Sequence, residues 1–432
     1  MRYLKLPVYA GLLALVVTQT HSALADDATS STAPARCCMS EIWAYNLQSP
    51  DLIRQRFKLF QGLGVDMVRS SIVWPDMERT PGKWSEARSL PYLQLAAESG
   101  FKIKMNFGTV SEPAPWYLNA HPDAQVTNQN GIHSRHTFSL WYPGLHQLLA
   151  EKTDHLFKYL SEHPEIVSKV EFIDPDFGPA SEPLYPAAWT LDNAGEEAHS
   201  ETFWCYDVHA QADFLDKMKA KYGDILAANA TWNTKYKNWD EVVIPKPGTQ
   251  PGPFWNDVLV WYRDSKRDFI LWQLQNFKTA MAKYLPKPVK ILMYVPGSHY
   301  TDEDWRQAVA TGAGNGKICL MCDSIFLLET AAKEHCFLQY TGSSDEPEVK
   351  YLRGYMDQHG LGSIPMWGEN AGITRVAIDP LQLADVVIKY NLYGLDYTHS
   401  RFIFKEDTVT PNEVFPKLQQ AYSEIKQKCT IQ

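Results

Sequence analysis

Apolar positions along this chain fall into two alternating rhythms, short strand-like runs and longer stretches at helical spacing, and the alternation predicts parallel strands joined by crossover helices. The strand-like runs are Glu41 to Tyr45, Met67 to Val73, Lys102 to Phe107, Val170 to Ile173, Lys290 to Val295, Cys336 to Tyr340, Ile364 to Trp367 and Leu395 to Thr398, eight in all. After the first, Leu52, Ile53, Phe57, Phe60 and Leu63 keep a helical period from Pro50 until Gly64 ends it, and Leu90 to Glu98, closed by Gly100, repeats the pattern. The expected architecture is α/β, a single (β/α)8 TIM barrel over residues 40–432. The widest interval, roughly 110 residues, separates the fourth run from the fifth and holds helix-like stretches from Asp207 to Tyr222 and Phe254 to Tyr284. It is expected to be a long insertion after strand four rather than a second domain.

Ahead of the barrel, Arg2 and Lys5 precede an apolar stretch from Leu6 to Val17, and Ala23-Leu24-Ala25 follows as a small-residue cleavage site. This predicts a signal peptide over residues 1–25 and a secreted or periplasmic protein. Residues 26–39, rich in Ala, Ser, Thr and Asp, are expected to be a flexible leader, with Cys37-Cys38 ahead of the first strand. No later segment reaches the ~20 apolar residues of a membrane span, so no membrane contact is expected once the signal is removed.

Composition narrows the function. A formal charge of -9 argues against a nucleic-acid partner, since phosphate binding relies on clustered Lys and Arg. The 14 Trp and 22 Tyr suit sugar faces as well as a large core. Seven cysteines leave at least one unpaired; Cys319 and Cys322 are candidates to pair with each other or elsewhere, and a zinc reading of Cys319-Leu320-Met321-Cys322 lacks a second such pair. His133, His136 and His146 lack ligand spacing, so neither metal nor cofactor is expected. Asn229-Ala230-Thr231 is a glycosylation sequon, meaningful only in a eukaryotic secretory route.

The candidate chemistry lies in two glutamates. Glu182 stands in Phe177-Gly178-Pro179-Ala180-Ser181-Glu182-Pro183-Leu184-Tyr185-Pro186, just beyond strand four, and Glu369 stands in Met366-Trp367-Gly368-Glu369-Asn370-Ala371, at the end of strand seven. Both are therefore expected at the C-terminal rim, where such barrels keep their reacting groups. Glycoside hydrolysis needs one protonated carboxyl and one ionised carboxylate flanking the bond, with their separation deciding between retention and inversion. Glu182 is the expected proton donor, its proton held by an apolar pocket in which Trp189 or Tyr185 takes part, and Glu369 the base or nucleophile.

These residues carry a resemblance. Gly178-Pro179-Ala180-Ser181-Glu182-Pro183-Leu184-Tyr185-Pro186 is similar to the Gly-Pro-Ala-Gly-Glu-Leu-Arg-Tyr-Pro stretch of β-amylases, which bears their general acid, and Gly368-Glu369-Asn370-Ala371 resembles the Gly-Glu-Asn-Ala of their general base. Gly64-Val65-Asp66 through Trp74, Glu78, Pro81-Gly82-Lys83-Trp84, Cys205-Tyr206-Asp207, Ala212-Asp213-Phe214, Trp261-Tyr262 and Val295-Pro296-Gly297-Ser298-His299 follow in that family's order. Departures fall where sugar would bind: the family's strand-two Asp corresponds to Ser71 and its strand-five Lys to Tyr294. The loop Gly108-Thr109-Val110-Ser111-Glu112-Pro113-Ala114-Pro115-Trp116-Tyr117 instead resembles that of family 42 β-galactosidases, which share the carboxylate pair and retain configuration.

The resemblance implies a secreted glycoside hydrolase acting on an oligo- or polysaccharide. Arg69, Trp74, Trp116, Asp176, Tyr294, His299, Tyr340, Trp367 and Asn370 are the candidate sugar-binding residues, with core packing the alternative for each Trp and neutralisation of Glu369 the alternative for Arg69. A catalytically silent carbohydrate-binding or polysaccharide-export accessory protein, or a transglycosylase, is the competing function. The oligomeric state is left open.

Overall fold

The computed structural model describes residues 33–41, 49–110, 113–186, 202–370, 378–405 and 408–431. The expected signal peptide, Glu112, Trp189 and Ala371 lie outside them. Eight parallel strands close into a barrel in chain order: β1 (Arg36–Ser40), β2 (Met67–Val73), β3 (Lys102–Gly108), β4 (Val170–Asp174), β5 (Lys290–Val295), β6 (Phe337–Tyr340), β7 (Met366–Glu369) and β8 (Gly394–Tyr397). β8 pairs with β1 from Gly394 opposite Arg36 to Tyr397 opposite Met39, which seals the cylinder.

The barrel begins five residues before the expected strand. β1 occupies 36–40, inside the stretch expected to be a leader, and of the 41–45 run only Glu41 is described. Cys37 and Cys38 are thus barrel residues, the first facing the helices and the second the interior. All seven cysteines are buried free thiols, so Cys319 and Cys322 are not bridged. The sequon residue Asn229 is also engaged: its amide donates to Tyr236 O at 2.8 Å and its carbonyl oxygen accepts from Tyr236 N–H and Thr234 Oγ1.

The helices form where periodicity placed them. In Pro50–Leu63, Ser49 caps the first turn by accepting from Leu52 N–H, proline occupies the first turn, and Gly64 ends the helix at φ 81°, a conformation costly for any side chain with a Cβ. Its buried face of Ile53, Phe57, Phe60 and Leu63 packs outside the barrel, each side chain contributing about 1.5–3 kcal/mol. Outward positions of the strands meet this layer: Val68, Ile103, Ile173, Met293, Leu338, Met366 and Leu395 all belong to it.

Inward positions obey the two-residue period of a strand and divide into two levels. The lower level is apolar: Cys38, Met67, Phe172, Leu292 and Trp367. One step nearer the C-terminal rim it becomes polar, with Ser40, Arg69, Lys104, Asn106, Asp174, Gln339, Glu369 and Asp396 all buried. The interval after β4 carries helices Val208–Tyr222 and Ile225–Trp232 and the first half of the 32-residue helix Pro253–Tyr284. These build a second apolar cluster around Phe203, Trp204, Phe214, Trp232, Trp255 and Trp261.

Candidate active site

Glu369, the last residue of β7, is held from several sides. Arg69 on β2 reaches its Oε1 at 3.2 Å, and the Gln339 amide on β6 donates to its Oε2. That amide cannot turn round, because Lys104 Nζ donates to its carbonyl oxygen at 2.6 Å, which leaves the N–H pair facing the carboxylates. Lys104 also meets Asp396 Oδ2 at 3.1 Å, while Arg69 stands 3.8 Å from the same atom and donates through Nε to Asn106 at 3.1 Å. Two cations therefore face two carboxylates in one buried network. Asp396, nearest the lysine, is lowered from the usual carboxylate range against the opposing effect of burial. Glu369 is left above its ordinary value by burial, with Arg69 the main opposing influence.

Glu182 has poorer company. It lies just beyond β4, accepts from the Thr341 hydroxyl, and has no cation within ion-pairing distance among the described residues. Burial pushes its carboxyl up to about 7; the Thr341 bond works against that, the Glu369 charge adds to it and Arg69 subtracts. The influence of the Glu369 charge on Glu182 places the two carboxyls in one neighbourhood. Their partners agree, since Gln339 in β6 and Thr341, the first residue beyond it and still bonded through its N–H to Val295 O, lie two residues and about 7 Å apart. Glu182 keeps 8 % and Glu369 6 % of its surface exposed, enough for access from the rim without free hydration. Asp174 beneath them is pushed up to about 8, by burial and then by the Asp176 charge, and accepts from Asn106 at 3.0 Å.

The turn delivering Glu182 is strained. Asp176, Ala180 and Ser181 have φ of 53°, 54° and 66°, a left-handed conformation costing roughly 1–2 kcal/mol per L residue. The β-amylase motif carries Gly where Ser181 stands. Gly178 is also required, since a Cβ there would lie 2.7 Å from the carbonyl oxygens of both Glu182 and Leu184.

Several candidate sugar contacts are used otherwise. Trp367 is fully buried in the lower level, with Phe172 against its edge and Lys104 Nζ 4.0 Å from its ring centre, so it offers sugar no face. Tyr340 points outward, because it is one residue out of phase with the inward Gln339, and joins the layer beneath the helices. Trp74 is fully buried, its indole N–H on the Glu78 carboxylate at 2.6 Å, and Trp116 packs edge-on against it while donating to Glu78 O. Asp176 accepts from the N–H groups of Thr109 and Val110 at 2.6 and 2.7 Å and so anchors the loop after β3. Asn370 is bound through both ends of its amide to the Thr398 backbone beyond β8.

Others stand closer to the pair. Arg69 contacts Glu369 itself, and Tyr294 lies inside the barrel under the Arg69 guanidinium, its hydroxyl accepting from Asn106 at 3.3 Å. His299, just past β5, is stacked on Tyr300 and Tyr351 and has Nε2 3.3 Å from the Tyr351 hydroxyl. Tyr185 turns away from Glu182 to stack on Tyr262 at 3.8 Å. Lys104, Asn106, Gln339, Thr341 and Asp396 went unnoticed in the sequence. Their signal was available: apart from Thr341, each is a polar residue at an inward position of an otherwise apolar strand.

A closed parallel barrel with two interacting acidic groups at its C-terminal rim is the architecture of the barrel glycoside hydrolases. A sequence model of glycoside hydrolase family 42, described as beta-galactosidase, matches residues 43–173 and 181–310, more than half of the chain. The chain belongs to this family. It is also 28% identical over 169 residues to a thermophilic beta-amylase of Thermoanaerobacterium thermosulfurigenes, a match covering 36% of this chain and only 29% of that relative. Among solved structures, the catalytic domain of beta-amylase from Paenibacillus polymyxa superposes with a TM-score of 0.73 at 15% identity, over 92% of this chain and all of that one. The beta-galactosidase of the psychrophilic Marinomonas ef1 superposes at 0.61 with 14% identity, over 90% of this chain and 59% of its own. At these identities the superpositions bear on the fold alone.

Proposed function

We propose that the protein is a secreted, retaining glycoside hydrolase in which Glu182 is the proton donor and Glu369 the nucleophile. The observation that carries this reading is the asymmetry of the two carboxyls. Glu182, with the Thr341 hydroxyl as its hydrogen-bond partner among the described residues and a carboxyl pushed up to about 7, is still partly protonated at neutral pH; Glu369, though burial raises it too, is held by Arg69 and the Gln339 amide, donors that favour its ionised form. In the first step Glu182 gives its proton to the glycosidic oxygen, the bond from that oxygen to C1 breaks, and a Glu369 oxygen bonds to C1 as the alcohol leaves. In the second, Glu182 takes a proton from water as the water oxygen attacks C1, and the ester to Glu369 breaks.

Family membership supports a β-galactoside as the substrate class, and the departures at Ser71 and Tyr294 argue against the starch-end subsite of β-amylases. Export rests on the charged and apolar pattern of residues 1–25. The test is the anomeric configuration of the first product, followed by NMR on a panel of α- and β-linked galactans and glucans. Release of the β-anomer from a β-linked substrate is expected. Release of the opposite anomer would make Glu369 a base activating water, and binding without any new reducing end would make the protein an accessory binder.

A further inference from the structure

The helix Pro253–Tyr284 meets the Glu182 turn at both of its ends, through the carbonyl oxygens of Pro175, Asp176, Phe177 and Leu184 and the ring of Tyr185. Lys266 Nζ donates to Phe177 O at 2.9 Å and to Leu184 O at 2.7 Å, so one ammonium ties together the two ends of the loop that carries Glu182. Gln273 Nε2 donates to Pro175 O at 2.9 Å and to Asp176 O at 3.3 Å, where the chain leaves β4. Tyr262 O accepts from the Tyr185 hydroxyl at 2.9 Å on the far side, with the two rings stacked. Positions 262, 266 and 273 are spaced by four and seven, so they lie on one face of the helix.

Lys266 is the unusual member. It is 3 % exposed and makes no ion pair among the described residues, with the Tyr185 and Phe269 rings around its head. Burial draws its ammonium down to about 7, against a weaker pull from Asp176. Burying an unpaired lysine is unfavourable, and an apolar residue of the same length would fill the space at less cost. What it supplies is a compact head whose donors reach two carbonyls facing one point. The loop needs such a hold: three of its residues are left-handed without being glycine, and Gly178 passes so close that a Cβ would stand 3.0 Å from Lys266 Nζ.

We propose that Lys266, seconded by Gln273, is a positioning residue for proton donation: it fixes the strained turn so that the Glu182 carboxyl is aimed at the glycosidic oxygen. The inference rests on the proposed role of Glu182, and its test separates the two. Lys266→Met is compared with the wild type and Glu182→Gln on two probes, methyl β-galactoside, whose leaving group needs a proton, and dinitrophenyl β-galactoside, whose leaving group does not. Deuterium exchange of residues 175–186 is measured alongside. Misplacing the acid by a fraction of an ångström should lower kcat/KM, which reports the step in which the leaving group departs, by about 10- to 100-fold on the methyl glycoside and by less than about threefold on the dinitrophenyl glycoside. Exchange should quicken by about tenfold or more within 175–186 and stay unchanged in the barrel strands.

Equal losses on both probes, or exchange in 175–186 that stays at the wild-type rate, would overturn the proposal. If Glu182→Gln shows no dependence on the leaving group, the donor role of Glu182 fails, and if the wild type cleaves neither probe the galactoside reading fails; in both cases the exchange result alone decides whether Lys266 holds the turn. Should Lys266→Met not fold, Gln273→Leu, which removes only the bonds at the start of the loop, gives the same comparison with a smaller expected effect.

Discussion

The surroundings of Glu369 and of Glu182 differ in kind although the two share one barrel rim. Glu369 ends a regular strand and is met across the barrel interior by an arginine, an amide locked by a lysine, and a second carboxylate that balances the charges. Glu182 rides on an irregular turn, has a single hydroxyl partner among the described residues, and is governed by burial. Strand registry can place many polar groups around a residue within the sheet, whereas a turn beyond it brings its residue to a site with fewer partners. On the proposed reading, the difference sets one of two chemically identical side chains to give a proton and the other to act in its ionised form.

The comparison breaks most visibly by deleting each carboxyl. Glu369→Gln should cost at least about 10⁴-fold in kcat on any substrate, because no nucleophile remains. Glu182→Gln should cost about 10²–10⁴-fold in kcat/KM where the leaving group needs its proton and much less in kcat/KM on dinitrophenyl β-galactoside, read by initial rates at low substrate on both. Equal losses in the two variants on both substrates would erase the distinction.

Next in size is the loss of the cation beside Glu369. Arg69→Met leaves two buried carboxylates to one lysine and should destabilise the fold by about 3–5 kcal/mol in urea titrations near pH 7. Smaller, and opposite in sign, is the effect of Glu182→Gln on stability. The wild-type carboxyl rises from its ordinary 4.5 to about 7 on folding, so its cost is absent at low pH, grows between those values and is complete above the higher one. At pH 8 the variant should therefore be more stable than wild type, by up to about 3 kcal/mol, with the gain vanishing near pH 4. An inactive variant that is more stable in alkali would sharpen the contrast.

The smallest effect is on the pH profile. If Glu182 is the proton donor, as proposed, kcat/KM should fall as pH rises past about 7. Thr341→Val removes the bond that stabilises the ionised form and should carry this alkaline limb upward by about one pH unit, leaving the acidic limb in place.

The barrel was legible because parallel strands buried on both faces leave apolar runs, and because Pro50 and Gly64 mark a helix beginning and end. β1 was missed for the same reason reversed: Arg36-Cys37-Cys38-Met39-Ser40 carries no branched residue, and its burial comes entirely from neighbours distant in sequence. The two glutamates could be read from their glycine- and proline-rich turns. Their partners could be flagged only as polar residues at inward strand positions, and not paired, since Gln339, Lys104 and Asp396 become neighbours only when β3, β6 and β8 lie in register around the cylinder. Aromatic residues misled for a related reason: a Trp suits a sugar or a core equally, and only the phase of Trp367 within β7 assigns it to the lower level.

The division of labour between the two carboxyls is tested most directly by trapping. A β-galactoside with fluorine beside the anomeric carbon and a dinitrophenolate leaving group forms its glycosyl-enzyme faster than water can release it. Digestion and mass spectrometry should find the fluorosugar on the peptide containing Glu369, at full occupancy in wild type and absent from Glu369→Gln. An adduct on any other residue, or rapid turnover of the unfluorinated galactoside with no adduct at all, would contradict the assignment.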